Sequence, residues 1–238
     1  MHFLDLTLSS AAENVALDEA LLLAAESGDG GELLRFWEWE KPAVVLGAGC
    51  RIADDVDEAA CDADGVPILR RASGGGTVLL SRGCLLYTLI LSYDRDPTLT
   101  DIRRSYHLVL GRIAGALAEG IGAIELAGIS DLVIAGRKFS GTAQQRKRDY
   151  LLHHGTLLYD MDVSQIPRYL REPPRQPDYR GGRPHLDFVC NLLLPPEEIK
   201  QRLCRLWNTD KTQLVWPAAE VERLVVEKYN NPQWTRRR

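Results

Sequence analysis

The string Arg70-Arg71-Ala72-Ser73-Gly74-Gly75-Gly76-Thr77-Val78 constrains this chain more than any other segment. Three successive glycines are costly in backbone entropy, yet they stand between two apolar segments that read as strands, Pro67–Arg71 and Thr77–Leu80. Such a turn lets main chain approach a ligand closely, and its N–H groups can hold an anion. Arg70 or Arg71 adds a forked cationic donor suited to phosphate or carboxylate. No GK[ST] follows, so the string is not a Walker loop, and a strand comes next rather than the helix of a dinucleotide fingerprint. The bland alternative is a glycine-rich hairpin with solvated arginines.

A second chemical segment runs from Asp131 through Gly136-Arg137-Lys138 to Ser140-Gly141-Thr142-Ala143. Two β segments flank the Gly-Arg-Lys turn. Alternation on a strand from Lys138 puts residues 138, 140, 142 and 144 on one face, which is polar, and Phe139, Gly141 and Ala143 on the other. That polar face can line a site; otherwise Lys138 is a solvated hairpin lysine. The third segment is His153-His154-Gly155-Thr156-Leu157-Leu158. Neighbouring histidines on a strand face opposite ways, which makes them poor joint metal ligands, and no third ligand stands at zinc spacing. Of the five cysteines, Cys84 and Cys190 are candidate nucleophiles if a histidine or a positive charge assists, although each residue type is more often a small buried hydrophobe.

Around these segments the chain alternates helices with closely spaced strands. Ser10 and Glu13 have capping-box spacing before an apolar run that Gly28 stops, predicting a helix. Leu33–Trp39 and Ala43–Leu46 read as strands about a Lys41-Pro42 turn, and Leu85–Leu91 as a buried strand. In 101–119 the residues Ile102, Tyr106, Val109, Ile113 and Leu117 fall on one helical face. Residues 172–187, rich in proline and glycine, read as a long loop, and helices follow in Pro196–Asn208 and Pro217–Tyr229. Several connections are too short for parallel crossovers, so the expected fold class is α+β with a mainly antiparallel sheet. The 238 residues are expected to form one domain (1–238), with 235–238 a disordered basic tail. A net charge of −4 argues against a nucleic-acid partner. The odd cysteine count without CxxC spacing argues against disulfides and zinc. With no apolar stretch of membrane length and no leader pattern, a cytoplasmic location and no membrane partner are expected.

Taken in order, these segments resemble the lipoate–protein ligase family of the biotin/lipoate A/B protein ligase group. The likeness rests on Arg70-Arg71-Ala72-Ser73-Gly74-Gly75-Gly76-Thr77-Val78, on Asp131-Leu132 with Gly136-Arg137-Lys138 and Ser140-Gly141-Thr142-Ala143, and on His153-His154-Gly155-Thr156-Leu157-Leu158. Glu13-Asn14-x-Ala16-Leu17-Asp18-Glu19 and Phe188-Val189-Cys190-Asn191-Leu192 are weaker matches, the latter with cysteine in place of threonine. The resemblance implies a fold related to class II aminoacyl-tRNA synthetases and biotin protein ligase. It implies ATP, Mg²⁺ and lipoate as ligands, with lipoyl-AMP formed and the lipoyl group passed to a lysine of a lipoyl-domain or glycine-cleavage H-like acceptor. Lys138 takes the catalytic position, and Arg71, Ser73, Gly74, Gly75, Gly76, Thr77, Val78, Asp131, Ser140, Gly141, Thr142, Ala143, His154 and Gly155 take substrate and ATP positions. Asp131 is the implied Mg²⁺ ligand. Val78, Leu80 and Leu86 are expected to line an apolar slot for the acyl arm.

The pattern departs from the family in two places. Leu79-Leu80 stand where many ligases have a histidine. The chain also stops where a C-terminal accessory domain would begin, implying either a separate accessory subunit for activation or transfer of preactivated acyl groups only. Two alternatives stay open: a cysteine-dependent octanoyl- or lipoyltransferase of the same fold, or a non-catalytic lipoate- or adenylate-binding paralogue. Residues 122–131, where one transferase branch carries its nucleophile, lack cysteine.

Overall fold

A computed structural model describes residues 1–210 and 215–238. Its strands are β1 (His2–Asp5), β2 (Leu33–Glu38), β3 (Ala43–Leu46), β4 (Ile68–Arg70), β5 (Val78–Leu80), β6 (Cys84–Ser92), β7 (Glu125–Ala127), β8 (Asp131–Ile134), β9 (Arg137–Arg146) and β10 (Tyr150–Leu158). Its helices are α1 (Ala11–Ser27), α2 (Ile52–Asp55), α3 (Glu58–Asp64), α4 (Ile102–Leu117), α5 (Ile166–Tyr169), α6 (His185–Phe188), α7 (Pro196–Trp207), α8 (Ala218–Leu224) and α9 (Pro232–Thr235).

Seven strands form one sheet in the order β1-β2-β6-β10-β9-β8-β7. Only β1–β2 is parallel; the other pairings are antiparallel. The expected α+β class with a mainly antiparallel sheet flanked by helices is what the chain adopts. A second, three-stranded sheet has the order β4-β3-β5, with β3 parallel to β4 and antiparallel to β5. The strands on either side of Lys41-Pro42 therefore lie in different sheets and are not a hairpin. The glycine string is not a hairpin either: β4 and β5 never pair, and the loop passes over the end of β3, which lies between them.

Two apolar cores sandwich the large sheet. On one face α1, the small sheet and α8 pack against Leu33, Trp37, Leu86, Ile90 and Leu152. On the other, α4 and α7 cover Leu34, Phe36, Leu89, Leu151 and Leu157. Helix α1 starts where the sequence signals it, since the Ser10 side chain accepts from the Glu13 N–H. Glu13 answers the Ser9 and Ser10 hydroxyls instead of closing a reciprocal box. On α4 the residues Tyr106, Val109, Leu110, Ile113 and Leu117 are buried, each fully buried aliphatic contributing roughly 1.5–3 kcal/mol. Ile102 leaves that stripe and is 58% exposed, because it is the first helical residue after the Asp101 cap and lies ahead of the sheet contact.

The residues expected to form a disordered tail lie against β4 and the loop after β3. Arg70 donates to the Thr235 carbonyl from Nε (2.9 Å) and Nη2 (2.7 Å), and Trp234 Nε1 returns a bond to the Arg70 carbonyl at 2.7 Å. Arg237 stacks 3.7 Å over the Trp234 ring, and Arg236 pairs with Glu58. Arg236 and Arg237 have partners, which is why this segment is not free coil.

Candidate functional site

The glycine loop owes its shape to an arginine. Arg71 is 7% exposed, and its guanidinium donates to Ser73 Oγ (3.0 Å), Val45 O (3.2 Å), Gly74 O (2.6 Å) and Gly76 O (2.8 Å). Burial lowers its pKa to about 10, so it stays cationic at neutral pH. Gly75 has φ +80°, and a Cβ there would come 2.9 Å from Arg71 Nη2. Only glycine satisfies both conditions without strain. Arg70 is fully buried and donates to Gly47 O, Cys50 O and Thr235 O. Arg70 borders neither cavity and presents no fork to a ligand, whereas Arg71 lines the slot with most of its donors turned onto main-chain carbonyls. Both arginines answer main-chain carbonyls, which a chain turning this tightly must bury and satisfy.

The lysine is placed by a β-bulge. Leu132 pairs with Ser140 but Val133 pairs with Lys138, so Phe139 is an extra residue on β9. Bulges re-aim side chains, and here strict alternation from Lys138 fails. Lys138 lies beside Gly141, where an added Cβ would meet Lys138 Cε and Nζ at 2.8 Å. The predicted face of Lys138 with Ser140 and Gln144 is not formed. Ser140 is buried with its Oγ unpartnered among the described residues, while Gln144 turns to His153. Lys138 Nζ is 2.8 Å from Asp131 Oδ1, and Asp131 Oδ2 accepts from the Tyr179 hydroxyl at 2.6 Å. Tyr179 comes from the 172–187 loop.

The two histidines separate as strand geometry requires. His153 is fully buried between Tyr87 Oη (3.2 Å) and Gln144 Nε2 (3.1 Å). Burial, and then the neighbouring His154, lower its pKa to about 3. His154 faces the other way, with Nε2 2.6 Å from Ser73 Oγ and Nδ1 3.0 Å from Asp18 Oδ2. Asp18 also binds the fully buried Arg35 at 2.5 Å. Burial opposes the Asp18 charge, but Arg35 and His154 outweigh it and hold the pKa below the usual carboxylate value.

These groups surround a slot of ≈ 110 Å³ that Val15, Trp37, Val45, Val78, Leu80 and Leu86 make largely apolar. Arg71, Gly76, Thr77, Val78, Asp131, Lys138, Gly141, Thr142, Ala143, His154 and Gly155 line it. Gly75 and Ser140 border a wider cleft of ≈ 1320 Å³, which also touches Gly76, Thr77, Asp131 and Lys138. Of the expected positions, Ser73 and Gly74 border neither cavity and act from behind the loop wall. Asp18, Trp37 and Tyr179 went unassigned in the sequence. Asn14 and Asp18, polar and one turn apart on the buried side of a mostly apolar helix, were the available signal; Tyr179 in a proline-glycine loop carried none.

Neither expected cysteine faces the slot. Cys84 is fully buried, and burial raises its thiol to about 12. Cys190 donates its N–H to Lys138 O at 2.9 Å, but its side chain packs with the α4-side core. Cys50 borders the wide cleft, its Sγ 3.4 Å from Gly75 O, and burial raises its pKa too. For Mg²⁺ the fit is poor. Both Asp131 oxygens already accept, and no three His, Cys, Asp or Glu side chains converge among the described residues. No helix among them is long and apolar enough to cross a membrane.

The sheet, the loop over its slot and the lysine at the bulge define a protein of the lipoate-ligase class. The bipartite lipoate protein ligase of Thermoplasma acidophilum, solved in a study with its E2 lipoyl domain, superposes with a TM-score of 0.83 at 20% identity over 99% of this chain and 95% of its own. A lipoate-protein ligase A bound with ATP gives 0.82 at 21%, over 99% of each chain. The chain belongs to the family of the lipoyl protein ligase A/B catalytic domain, whose pattern it matches over residues 10–205. It is also 36% identical to octanoyltransferase LipM of Carboxydothermus hydrogenoformans over 186 residues, 71% of this chain and 69% of the relative.

Proposed function

We propose that this chain transfers an octanoyl- or lipoyl-sized acyl group to a lysine of an acceptor protein of the lipoyl-domain or H-like kind. The observation that supports this reading is the position of Lys138, which borders both the apolar slot and the wide cleft. An acyl chain lying in the slot brings its carbonyl to that junction, and the acceptor amine approaches through the cleft. Lys138 has three N–H donors, one of them on Asp131, leaving two for acyl oxygens. A fixed cation there stabilises the oxyanion that forms as the amine attacks, a term worth about 10²–10³ in rate. The new C–N bond forms, the leaving group departs with the electron pair of the old bond, and the amine proton passes to solvent. Lys138, Asp131, Arg71, Ser73, His154, Gly141 and the 74–78 loop are the residues assigned to this site.

Likeness to an octanoyltransferase favours an acyl donor that arrives already activated as a thioester. A cysteine-dependent form of that chemistry has no support from the slot, since no cysteine is among its lining residues. That same observation favours a second reading, in which ATP activates a free carboxylate. ATP would supply the leaving group as AMP, with the wide cleft as the space beside Lys138 and the 75–77 loop. No step is assigned to Mg²⁺, given the occupied Asp131.

The test is acceptor mass. The protein is incubated with an apo lipoyl domain and either an octanoyl carrier-protein thioester without nucleotide, or octanoate or lipoate with Mg-ATP. Gain from the thioester alone supports transfer, and gain with pyrophosphate release supports ligation. Tight lipoate binding with no gain from any donor identifies a binding protein and ends the proposal.

A further inference from the structure

We propose that Asp18, His154 and Ser73 form a positioning relay that sets the direction in which the glycine loop presents its main chain. The inference rests on the acyl-transfer reading for its kinetic consequence only. Three parts of the chain far apart in sequence meet in this relay: Asp18 on α1, His154 on β10, and Ser73 with Arg71 in the loop. Arg35 on β2 backs it, donating to Asp18, to Asn14 and to the Leu6 carbonyl.

With Asp18 ionised and the His154 proton on Nδ1, the donors run in one direction. An ionised Asp18 only accepts, so it receives N–H bonds from Arg35 and from His154 Nδ1. A neutral imidazole with its proton on Nδ1 has a lone pair on Nε2, which accepts the Ser73 hydroxyl at 2.6 Å. Ser73 Oγ in turn accepts from Arg71 Nε at 3.0 Å. Every proton in the row points toward Asp18. Arg71 Nη2 then takes the carbonyls of Gly74 and Gly76, while Nη1 takes that of Val45. In a trans peptide the C=O of one residue and the N–H of the next are antiparallel. Turning the Gly74 and Gly76 carbonyls onto Arg71 therefore turns the N–H groups of Gly75 and Thr77 away from it. Gly75 and Thr77 both border the wide cleft, where acyl or phosphoryl oxygens would lie.

A row of polar groups beside an apolar slot has no advantage in stability over packed hydrophobic side chains. Its distinguishing product is a single loop conformation among the many open to three glycines. Ser73 touches no substrate space, so it is a positioning residue and not a nucleophile.

The experiment compares Ser73→Ala, Ser73→Thr and His154→Gln with the parent protein. Kinetics are measured against acyl donor and acceptor separately, with thermal unfolding and amide hydrogen exchange of residues 74–77 on the same samples. Displacing catalytic donors by an ångström costs about 10²-fold. Ser73→Ala and His154→Gln should show a fall of that order in kcat/KM for the acyl donor, an unchanged acceptor KM and faster exchange in the loop. Ser73→Thr, which keeps the hydroxyl, should recover most of the rate. Unchanged exchange with unchanged donor kinetics overturns the relay, as does a loss that falls equally on both substrates and tracks a lowered Tm. A parent protein that transfers nothing refutes the acyl-transfer reading, while the exchange comparison still decides whether the relay holds the loop.

Discussion

The two faces of strand β10 treat the same side chain in opposite ways. His153 looks toward α4, lies between Tyr87 and Gln144, and is kept neutral by burial. His154 looks toward α1 and links a carboxylate to a serine at the edge of a cavity. The α4 face is leucine, phenylalanine and tyrosine packed to closure. The α1 face holds the Asp18–Arg35 and Asp131–Lys138 pairs beside open space. The contrast teaches that one strand can be a structural wall and a working surface at once. Each face should then fail in its own way when changed.

Lys138→Ala should give the largest effect, a loss of acyl transfer on the order of 10²–10³-fold with little change in Tm, read by acceptor mass. A rate within tenfold of the parent would mean that the α1 face is not where the chemistry occurs. On the other face, Leu157→Ala should cost about 2–5 kcal/mol in urea unfolding while the folded fraction keeps its KM. An altered KM would show that the faces are not separate.

The third prediction concerns acid. His153 has an ordinary value of 6.5 when exposed and about 3 in the fold. The unfolded chain therefore takes up a proton that the folded one refuses. Its contribution to stability is complete above pH 6.5 and declines as pH falls toward 3, by about 1.4 kcal/mol per unit. His153→Gln should flatten the slope of stability against pH between 6 and 4. An equal slope in the variant would assign the acid sensitivity to other groups. Smaller again, Gly141→Ala places a methyl against Lys138 Nζ and should cost about tenfold in kcat/KM, one step of 1.4 kcal/mol, with the fold intact. The smallest change is expected from Cys50→Ser and Cys190→Ser, within about twofold, as for small half-buried thiols without a catalytic part. Abolished transfer in either would restore the cysteine-dependent route.

Local signals were readable in the chain because local forces produce them. Ser10 and Gly28 mark the ends of α1, and the spacing from Tyr106 to Leu117 marks the buried side of α4. Pairing was not readable. β2 and β3 are both buried along nearly their whole length, so alternation could not say which sheet each joins, and β1 at the sheet edge gave no sign of itself. Lys138, the glycines and His154 stood out by residue type, but the bulge at Phe139 inverted the face predicted for Lys138. The carbonyl partners of Arg71 were not legible, because they come from folded geometry and not from any spacing. Asp18 lay in a segment already noted, yet nothing in one helix shows which strand its carboxylate will meet.

The clasp between Arg70 and Thr235 joins positions 165 residues apart. During synthesis the strand leading into the glycine loop is made early, but its brace follows 165 residues later. Until then Arg70 lacks two of its bonds, and the small sheet must wait half-anchored while the large one assembles. The order of translation thus leaves the glycine loop without its distal brace until residue 235 has been made. A pulse of protease on ribosome-bound chains should find the 70s vulnerable until residue 235 has emerged, after the β6–β10 layer has become resistant.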